Sequence, residues 1–226
     1  MKWFRIDSDS YETIAICWLI CAAIIFLDAH FIKNLWISLP IAVVFVIFMV
    51  FITWFFRVPD RQTPEENNKR LVTSVADGKV VIVEKVFEKE YLKKDCIQIS
   101  VYMDFFDVHC NFWPLTGEVT YYKYHPGKYI LAFHEKASEL NEHSSSALKN
   151  EFGEIFFKQI AGTFARRIVC YSEPGKMEYR GDQCGVIKFG SRIDLFVPLE
   201  AEVKVKVGDK VRAVEDVLAI LPDRSE

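Results

Sequence analysis

The sequence has few of the features that mark metal-binding, disulfide-rich or polyanion-binding proteins. Its six cysteines in 226 residues include no Cys-x-x-Cys pair and no Cys/His spacing typical of zinc. We therefore expect free thiols in a reducing compartment and no metal. The formal net charge is −3 and no run of five basic residues occurs, which argues against nucleic acid as a partner.

Apolar residues make up 51% of the chain and are concentrated near the N-terminus. Residues 13–31 and 35–56 form two apolar runs, and each is long enough to cross a bilayer as a helix. We predict a membrane anchor over residues 1–56, made of two transmembrane helices joined by a short link. A signal peptide is the alternative for the first run, but no small-residue cleavage site follows it.

The charges around the two spans predict their orientation. Lys2 and Arg5 precede the first span, and Arg57 and Arg61 follow the second. Because positively charged flanks stay on the cytoplasmic side, both termini are expected in the cytoplasm. The rest of the chain would then face the cytoplasm at the cell (inner) membrane.

After the anchor, the pattern changes to short β-type runs separated by glycine-containing turns, which indicates a mainly β sandwich or open barrel. The tail 203–221 resembles the hairpin halves of lipoyl and biotinyl domains, although no lysine stands at a hairpin tip as a carrier would need. The predicted strands are 71–75, 79–87, 96–103, 117–124, 154–160, 167–170, 185–189, 193–197 and 202–207.

The segment 185–198 carries the most informative chemistry. Taken alone, it reads as two strands joined by a Gly-Ser turn. A strained Gly190–Ser191 bond, however, would let the serine hydroxyl attack the open glycine carbonyl in an N-to-O acyl shift. β-Elimination and hydrolysis would then leave a pyruvoyl group, a covalent electron sink for decarboxylation.

Several stretches resemble one family in the same order along the chain. FGSR at 189–192 is similar to the self-cleavage motif of the short bacterial and archaeal form of phosphatidylserine decarboxylases. One such motif would be weak evidence, but an ordered series is strong. The other matching stretches are FFRVPDR at 55–61, SVADGKV at 74–80, FDVHCN at 106–111, YHPGKY at 124–129 and QIAGTFARRI at 159–168.

This resemblance implies an enzyme that converts phosphatidylserine to phosphatidylethanolamine and CO₂ through a Schiff base with a pyruvoyl group made from Ser191. The decarboxylase domain would span 57–226, and cleavage between Gly190 and Ser191 would give chains 1–190 and 191–226 that stay together as a heterodimer. A homo-oligomer is left open. The alternatives are decarboxylation of archaetidylserine and a non-enzymatic membrane adaptor with a lipoyl-like sandwich.

The resemblance also implies that Asp77 and His109 assist Ser191. Alone, Asp77 reads as a turn aspartate and His109 as a core histidine; in the functional interpretation they form an Asp-His-Ser relay. Larger relatives carry two histidines three apart in this segment, but Phe112 follows His109 at that spacing. Either His109 serves both steps, or His134 is the second proton carrier.

The remaining candidates are cations and aromatic residues. Lys136, Arg166 and Arg167 could bind the lipid phosphate, with solvated surface charge as the alternative. His125 and His143 receive no catalytic role. The aromatic stretch from Phe105 to Trp113 could be a face that dips into the membrane or part of the core.

Overall fold

A computed structural model describes residues 4–128, 140–162, 168–187 and 191–223, without the side chain of Ser191. The chain divides into two compact units, Met1–Asp60 and Arg61–Glu226.

The first unit is a helical hairpin. After a short strand β1 (Arg5–Ile6) and a 3-10 turn (Ser8–Ser10), helices α1 (Tyr11–Phe31) and α2 (Leu35–Phe55) run to strand β2 (Arg57–Val58), which pairs with β1. Both helices are apolar and long enough to span a membrane. The predicted pair of helices is confirmed, while their crossing of a bilayer stays a prediction.

Several polar side chains of this hairpin make hydrogen bonds within it. The Trp18 indole donates hydrogen bonds to the Met49 carbonyl and the Thr53 hydroxyl, each at 3.2 Å. Asp28, which interrupts the first apolar run, accepts a hydrogen bond from the Ser38 hydroxyl. Asn34 caps α2 by accepting from the Trp36 amide at 3.0 Å. These bonds reduce the cost of polar groups in an apolar hairpin.

The second unit is built from strands, which confirms the mainly β class. They are β3 (Leu71–Thr73), β4 (Gly78–Glu88), β5 (Lys94–Met103), β6 (Cys110–Phe112), β7 (Gly117–His125), β8 (His143–Asn150), β9 (Gly153–Ala161), β10 (Ile168–Cys170), β11 (Met177–Glu178), β12 (Gln183–Ile187), β13 (Ser191–Pro198), β14 (Glu202–Val203), β15 (Lys210–Val211) and β16 (Val217–Ile220).

These strands form one large and two small antiparallel sheets. The large sheet is a curled half-barrel of eight strands in the order β11-β7-β8-β9-β13-β5-β4-β15. The small sheets have the orders β10-β12-β6 and β14-β16-β3. Strand β13 is central in the large sheet, between β9 and β5.

Side chains alternate across β13, as its pleat requires. Ile193 and Leu195 belong to the main apolar core, which also contains Trp113 and Phe157. Phe196 belongs to a second cluster on the other side of the strand. Both faces of β13 are therefore buried, and the strand is held firmly along its length.

Several features differ from the sequence-based prediction. The short strands β6, β11, β15 and β16 were not predicted, and the predicted strand 202–207 ends at Val203 in β14. Strand β8 was not predicted, since its run of Ser144, Ser145 and Ser146 lacks the apolar alternation of a strand; the three hydroxyls are buried and bonded to groups from other parts of the fold. The tail does not form a simple hairpin either. Strands β14 and β16 pair with each other in a small sheet, whereas β15, which lies between them in sequence, pairs with β4 in the large sheet.

Candidate active site

The backbone of Ser191 begins the central strand β13. It is paired with Met103 of β5 on one side and with Ala161 of β9 on the other. The preceding residues 188–190, including Gly190, lie outside the described part of the chain. The residue predicted to become the new N-terminus is thus fixed by backbone pairing from two neighbouring strands.

Asp77 lies at the same end of the large sheet. It precedes Gly78, the first residue of β4. Lys79 of β4 is the cross-strand partner of Tyr102 in β5, and Tyr102 is in turn the partner of Arg192 in β13. A side chain at position 78 would overlap the Tyr102 carbonyl, so only glycine lets β4 approach β5 this closely. Since adjacent strands lie about 4.8 Å apart, residues 78 and 191 are separated by roughly 10 Å.

The carboxylate of Asp77 is held by groups distant in sequence. Arg61 binds it through both terminal nitrogens, with Nη2 at 2.7 Å from Oδ2. The Ala213 amide donates to Oδ1 at 2.8 Å, and Arg61 also donates to the Ala213 carbonyl at 3.0 Å. Burial opposes the charge of Arg61, but the hydrogen bond and charge of Asp77 outweigh it and raise the pKa of Arg61.

Arg61 is a site residue that the sequence analysis did not assign. We counted it as a positive flank of the anchor, although its place in the FFRVPDR stretch was a signal. The structure instead buries its guanidinium against Asp77. Because such a paired arginine is positioned and not solvated, it is part of the candidate site.

His109 is buried next to the chain that leads to Ser191. Its backbone carbonyl accepts a hydrogen bond at 3.1 Å from the amide of Ile187, the last residue of β12. Its Nδ1 lies 2.9 Å from the Asp107 carbonyl. Since a carbonyl can only accept, Nδ1 carries the hydrogen, and a neutral ring then has its lone pair on Nε2. That nitrogen has the form of a general base.

The negative charge of Asp77 reaches this segment. Burial raises the pKa of Asp107, and the charges of Asp77 and Asp104 raise it further. Asp107 and His109 are two residues apart. The charge of Asp77 thus acts on a residue two positions before His109, while the described hydrogen bonds of the Asp77 carboxylate go to Arg61 and Ala213.

Two asparagines hold the strands that flank Ser191. Asn111 donates to the sulfur of Met103 at 3.8 Å, and Asn141 donates to the carbonyl of Ala161 at 2.7 Å. Met103 and Ala161 are the two cross-strand partners of Ser191. Both amides are buried, and a hydrogen-bonded buried amide favours a single arrangement of the strands around it.

A buried chain of polar side chains extends this support. Gln159 donates to Asn111 at 2.8 Å and accepts from Ser144 at 2.8 Å. These hydrogen bonds link β6, β9 and β8 through Asn111, Gln159 and Ser144. Because each amide is used, the network holds these strands in register without leaving those groups unpaired.

Arg192, the residue after Ser191, forms a buried ion pair with Asp194. Its Nε lies 2.6 Å from Asp194, and Ser100 donates to the same carboxylate at 2.6 Å. Both charged side chains are almost fully buried. Removing one partner of such a pair leaves an uncompensated charge, so the pair fixes the start of β13.

A second polar cluster lies in a cleft of about 700 Å³ that also contains Asp194. Glu90 binds His125 at 2.6 Å and Lys158 at 2.7 Å, and the rings of His125 and His143 stack 4.3 Å apart. Burial would raise the pKa of Glu90, but Lys158, His125 and Ser145 lower it to about 2. Burial lowers the pKa of His143.

Within the described ranges, Glu90, His125 and His143 form the group whose ligand atoms could hold a metal ion, since these atoms lie within 4.8 Å of one another. The ammonium group of Lys158 already balances the carboxylate. The cluster is therefore complete as an ion-pair network.

Five predicted site residues lie outside the described part of the chain. The proton carrier His134 and the phosphate-binding candidates Lys136, Arg166 and Arg167 lie outside the described residues. Their roles stay predictions, as does that of Gly190.

The fold and this arrangement define a class: a β protein whose central strand begins at a serine, with a buried carboxylate and an imidazole at the same end. The model of the phosphatidylserine decarboxylase family matches residues 48–219. The chain belongs to the phosphatidylserine decarboxylase family.

Three relatives named phosphatidylserine decarboxylase proenzyme illustrate the match. The protein of Amoebophilus asiaticus is 43% identical over 178 residues, which cover 78% of each chain. That of Syntrophus aciditrophicus is 41% identical over 85% of this chain and 88% of its own. That of Pelodictyon phaeoclathratiforme is 37% identical over 94% of this chain and 98% of its own.

Proposed function

We propose that this chain is a phosphatidylserine decarboxylase proenzyme that cleaves its own Gly190–Ser191 bond and uses the resulting pyruvoyl group. The observation that carries the assignment to Ser191 is the start of β13 at this residue, with Asp77 and His109 at the same end of the fold. Family membership supports the reaction, and this position supports the choice of serine.

Self-cleavage would proceed in balanced steps. The Ser191 hydroxyl attacks the Gly190 carbonyl carbon, and the C–N bond breaks as a C–O ester bond forms. Loss of the Ser191 α-proton expels the Gly190 carboxylate and leaves dehydroalanine. Its tautomer takes up water and releases ammonia, which gives the ketone of the pyruvoyl group.

His109 is the proposed base for the first step. Its Nδ1–H is bonded to the Asp107 carbonyl, so the lone pair of the neutral ring is on Nε2, which would take the serine proton. Asp77 completes the proposed relay by favouring the protonated imidazole, with Arg61 positioning its carboxylate. His134 stays the candidate for a second proton carrier.

A pyruvoyl ketone next to an amide carbonyl accepts the electrons left as CO₂ departs. The fold suits a group at residue 191, because this residue starts a strand and needs no covalent link to residue 190 for its pairing. β13 pairs with β5 over 191–198 and with β9 over 191–196. These ladders support the proposal that chains 1–190 and 191–226 stay associated after cleavage.

The substrate is proposed to be a serine phospholipid in the membrane. Lys136, Arg166 and Arg167 are the proposed partners of its phosphate.

The proposed orientation of the membrane anchor depends on its positive flanks. Arg57 stacks on Trp54 at 3.5 Å, which suits a membrane interface, whereas Arg61 forms an ion pair with Asp77. A fluorescent protein fused after residue 226 should mature if this end is cytoplasmic, and a periplasmic alkaline phosphatase fusion should be inactive.

Intact-mass spectrometry tests the self-cleavage. The purified protein should contain residues 191–226 with a blocked N-terminus whose mass rises by two hydrogens after borohydride treatment. Ser191→Ala should stay full-length and inactive, whereas Ser172→Ala should be processed like the parent. A full-length chain from active cells would exclude the pyruvoyl mechanism and favour the membrane adaptor.

Activity on matched vesicles tests the substrate. Phosphatidylserine and archaetidylserine share the headgroup, so they should be offered separately at the same surface concentration. CO₂ release from phosphatidylserine is the expected result. A clear preference for the isoprenoid lipid would replace the proposed substrate with its alternative.

A further inference from the structure

Two exposed phenylalanines lie on the turn between β5 and β6. Their side chains are 40% and 67% exposed at Phe105 and Phe106, and the two rings meet edge to face with centroids 5.6 Å apart. By contrast, Phe112 and Trp113 are buried in the same stretch of sequence. The structure thus divides the aromatic stretch into a core part and an exposed tip.

The turn that presents the tip is held by its flanking aspartates. The Asp107 amide donates to the Asp104 carbonyl at 3.0 Å, and the Asp107 carboxylate accepts from the Asp104 amide at 2.8 Å. Two bonds across four residues make the turn compact. The rings of Phe105 and Phe106 are therefore held outward by the local backbone.

The tip lies beside the candidate reaction centre. Met103, the last residue of β5, pairs with Ser191, and His109 follows Phe106 by three residues. A surface that contacts the tip also comes close to the residue proposed to carry the pyruvoyl group. This juxtaposition links the tip to delivery of the substrate.

We infer that Phe105 and Phe106 insert into the lipid bilayer and hold the reaction centre against the headgroups. The inference rests on the proposed function, because the occupant is the membrane that contains the phospholipid substrate. The acyl chains of this substrate stay in the bilayer while its headgroup must reach residue 191. Adjacent exposed aromatic rings fit the boundary between headgroups and acyl chains.

A nitrile probe tests insertion directly. p-Cyanophenylalanine replaces Phe106 in the full chain, which is reconstituted in phosphatidylcholine bilayers, and the nitrile stretch distinguishes water from hydrocarbon. Phe87 is the matched control position, because it is 55% exposed and lies near the end of β4 that is far from Gly78. We expect an apolar signal at 106 and a hydrated signal at 87. A hydrated signal at both positions would overturn the inference.

Dilution separates the bilayer from a second copy of the chain. The apolar signal at position 106 should be the same at low and high protein-to-lipid ratios. A signal that becomes hydrated on dilution would show that the tip contacts another protein molecule, and would overturn the inference.

Kinetics supply a second readout. For Phe105→Ser with Phe106→Ser, we expect the ratio of kcat/KM on vesicle phosphatidylserine to kcat/KM on a soluble short-chain analogue to fall at least about tenfold. Phe87→Ser should keep the parental ratio. Equal losses on both substrates, with normal processing by mass, would overturn the inference.

These experiments distinguish failure of the inference from failure of the proposed function. If the parent chain decarboxylates neither substrate, the proposed function fails. The nitrile probe still reports insertion in that case, because it does not depend on turnover.

Discussion

Arg61→Met removes the charged partner of Asp77 while keeping much of the apolar stem. Asp77 would retain the Ala213 amide as a described hydrogen-bond donor but lose both bonds to the guanidinium. Its carboxylate would then be a largely buried, uncompensated charge, since the side chain is only 12% exposed. We expect the variant to be less stable and to process itself slowly.

The magnitude follows from the type of pair that is broken. Removing one partner of a buried pair costs about 3–5 kcal/mol. For a unit of this size, such a loss lowers the unfolding midpoint by roughly 10 °C. If the carboxylate also moves away from the reaction centre, a loss of about 1.4 kcal/mol in transition-state stabilisation slows cleavage tenfold.

Two measurements check this prediction on the full chain in detergent. Thermal unfolding gives the midpoint, and intact-mass spectrometry gives the half-time of conversion to the two chains. Arg212→Met is the matched control, because Arg212 makes an ion pair with Glu215 at 2.8 Å and is 64% exposed. Such a surface pair contributes at most about 1 kcal/mol.

A double variant sharpens the interpretation. Arg61→Met combined with Asp77→Asn removes the uncompensated charge, so part of the lost stability should return while processing stays slow. An Arg61→Met variant with the midpoint and processing half-time of the parent would refute a positioning role for Arg61. Equal stability losses in the single and double variants would refute the unpaired-charge explanation.

Three further predictions concern the surroundings of the site. The folded-state pKa values of Glu90 (about 2) and His143 lie below their ordinary values of 4.5 and 6.5, so stability present at pH 7 should be lost as pH falls below about 6.5. The unfolding midpoint should fall between pH 6.5 and 3, and the part of the fall below about pH 4.5 should be smaller in Glu90→Gln. Gln159→Leu removes the hydrogen bonds that the buried Asn111 and Ser144 side chains make with Gln159 and should cost about 2 kcal/mol or more in urea unfolding. Gly78→Ala, which overlaps the Tyr102 carbonyl, should cost about 1–3 kcal/mol more than Gly153→Ala, where the backbone has the same φ of 156° and the nearest atom is 3.7 Å from the added carbon; equal losses would contradict the close approach of β4 and β5.

Several parts of the fold could be predicted because their cause is local. The two helices follow from long apolar runs, and α1 and α2 begin within two residues of the predicted bounds. The mainly β class follows from short β-type runs between turns. Ser191 was predicted because FGSR resembles a known self-cleavage motif, in which a Gly-Ser bond has an accessible carbonyl next to a nucleophile.

Other parts could not be predicted because their cause is distant in sequence. β8 has a serine-rich sequence, and its hydroxyls are satisfied by Glu90, Gln159 and Ser172 from other parts of the fold. Arg61 meets Asp77 across sixteen residues and Ala213 across 152. The order of residue types along the chain does not show these pairings, because they depend on which segments become neighbours in the folded protein.

The sequence by itself determined that this chain has two apolar helices, a β unit and an ordered series of decarboxylase motifs ending at Ser191. These features depend on hydrophobicity, turn chemistry and residue order, which can all be read along the chain. Only the tertiary structure decided that Arg61 pairs with Asp77 and that Phe106 is exposed while Trp113 is buried. Burial and charge pairing depend on which strands become neighbours, and that is a property of the packed fold.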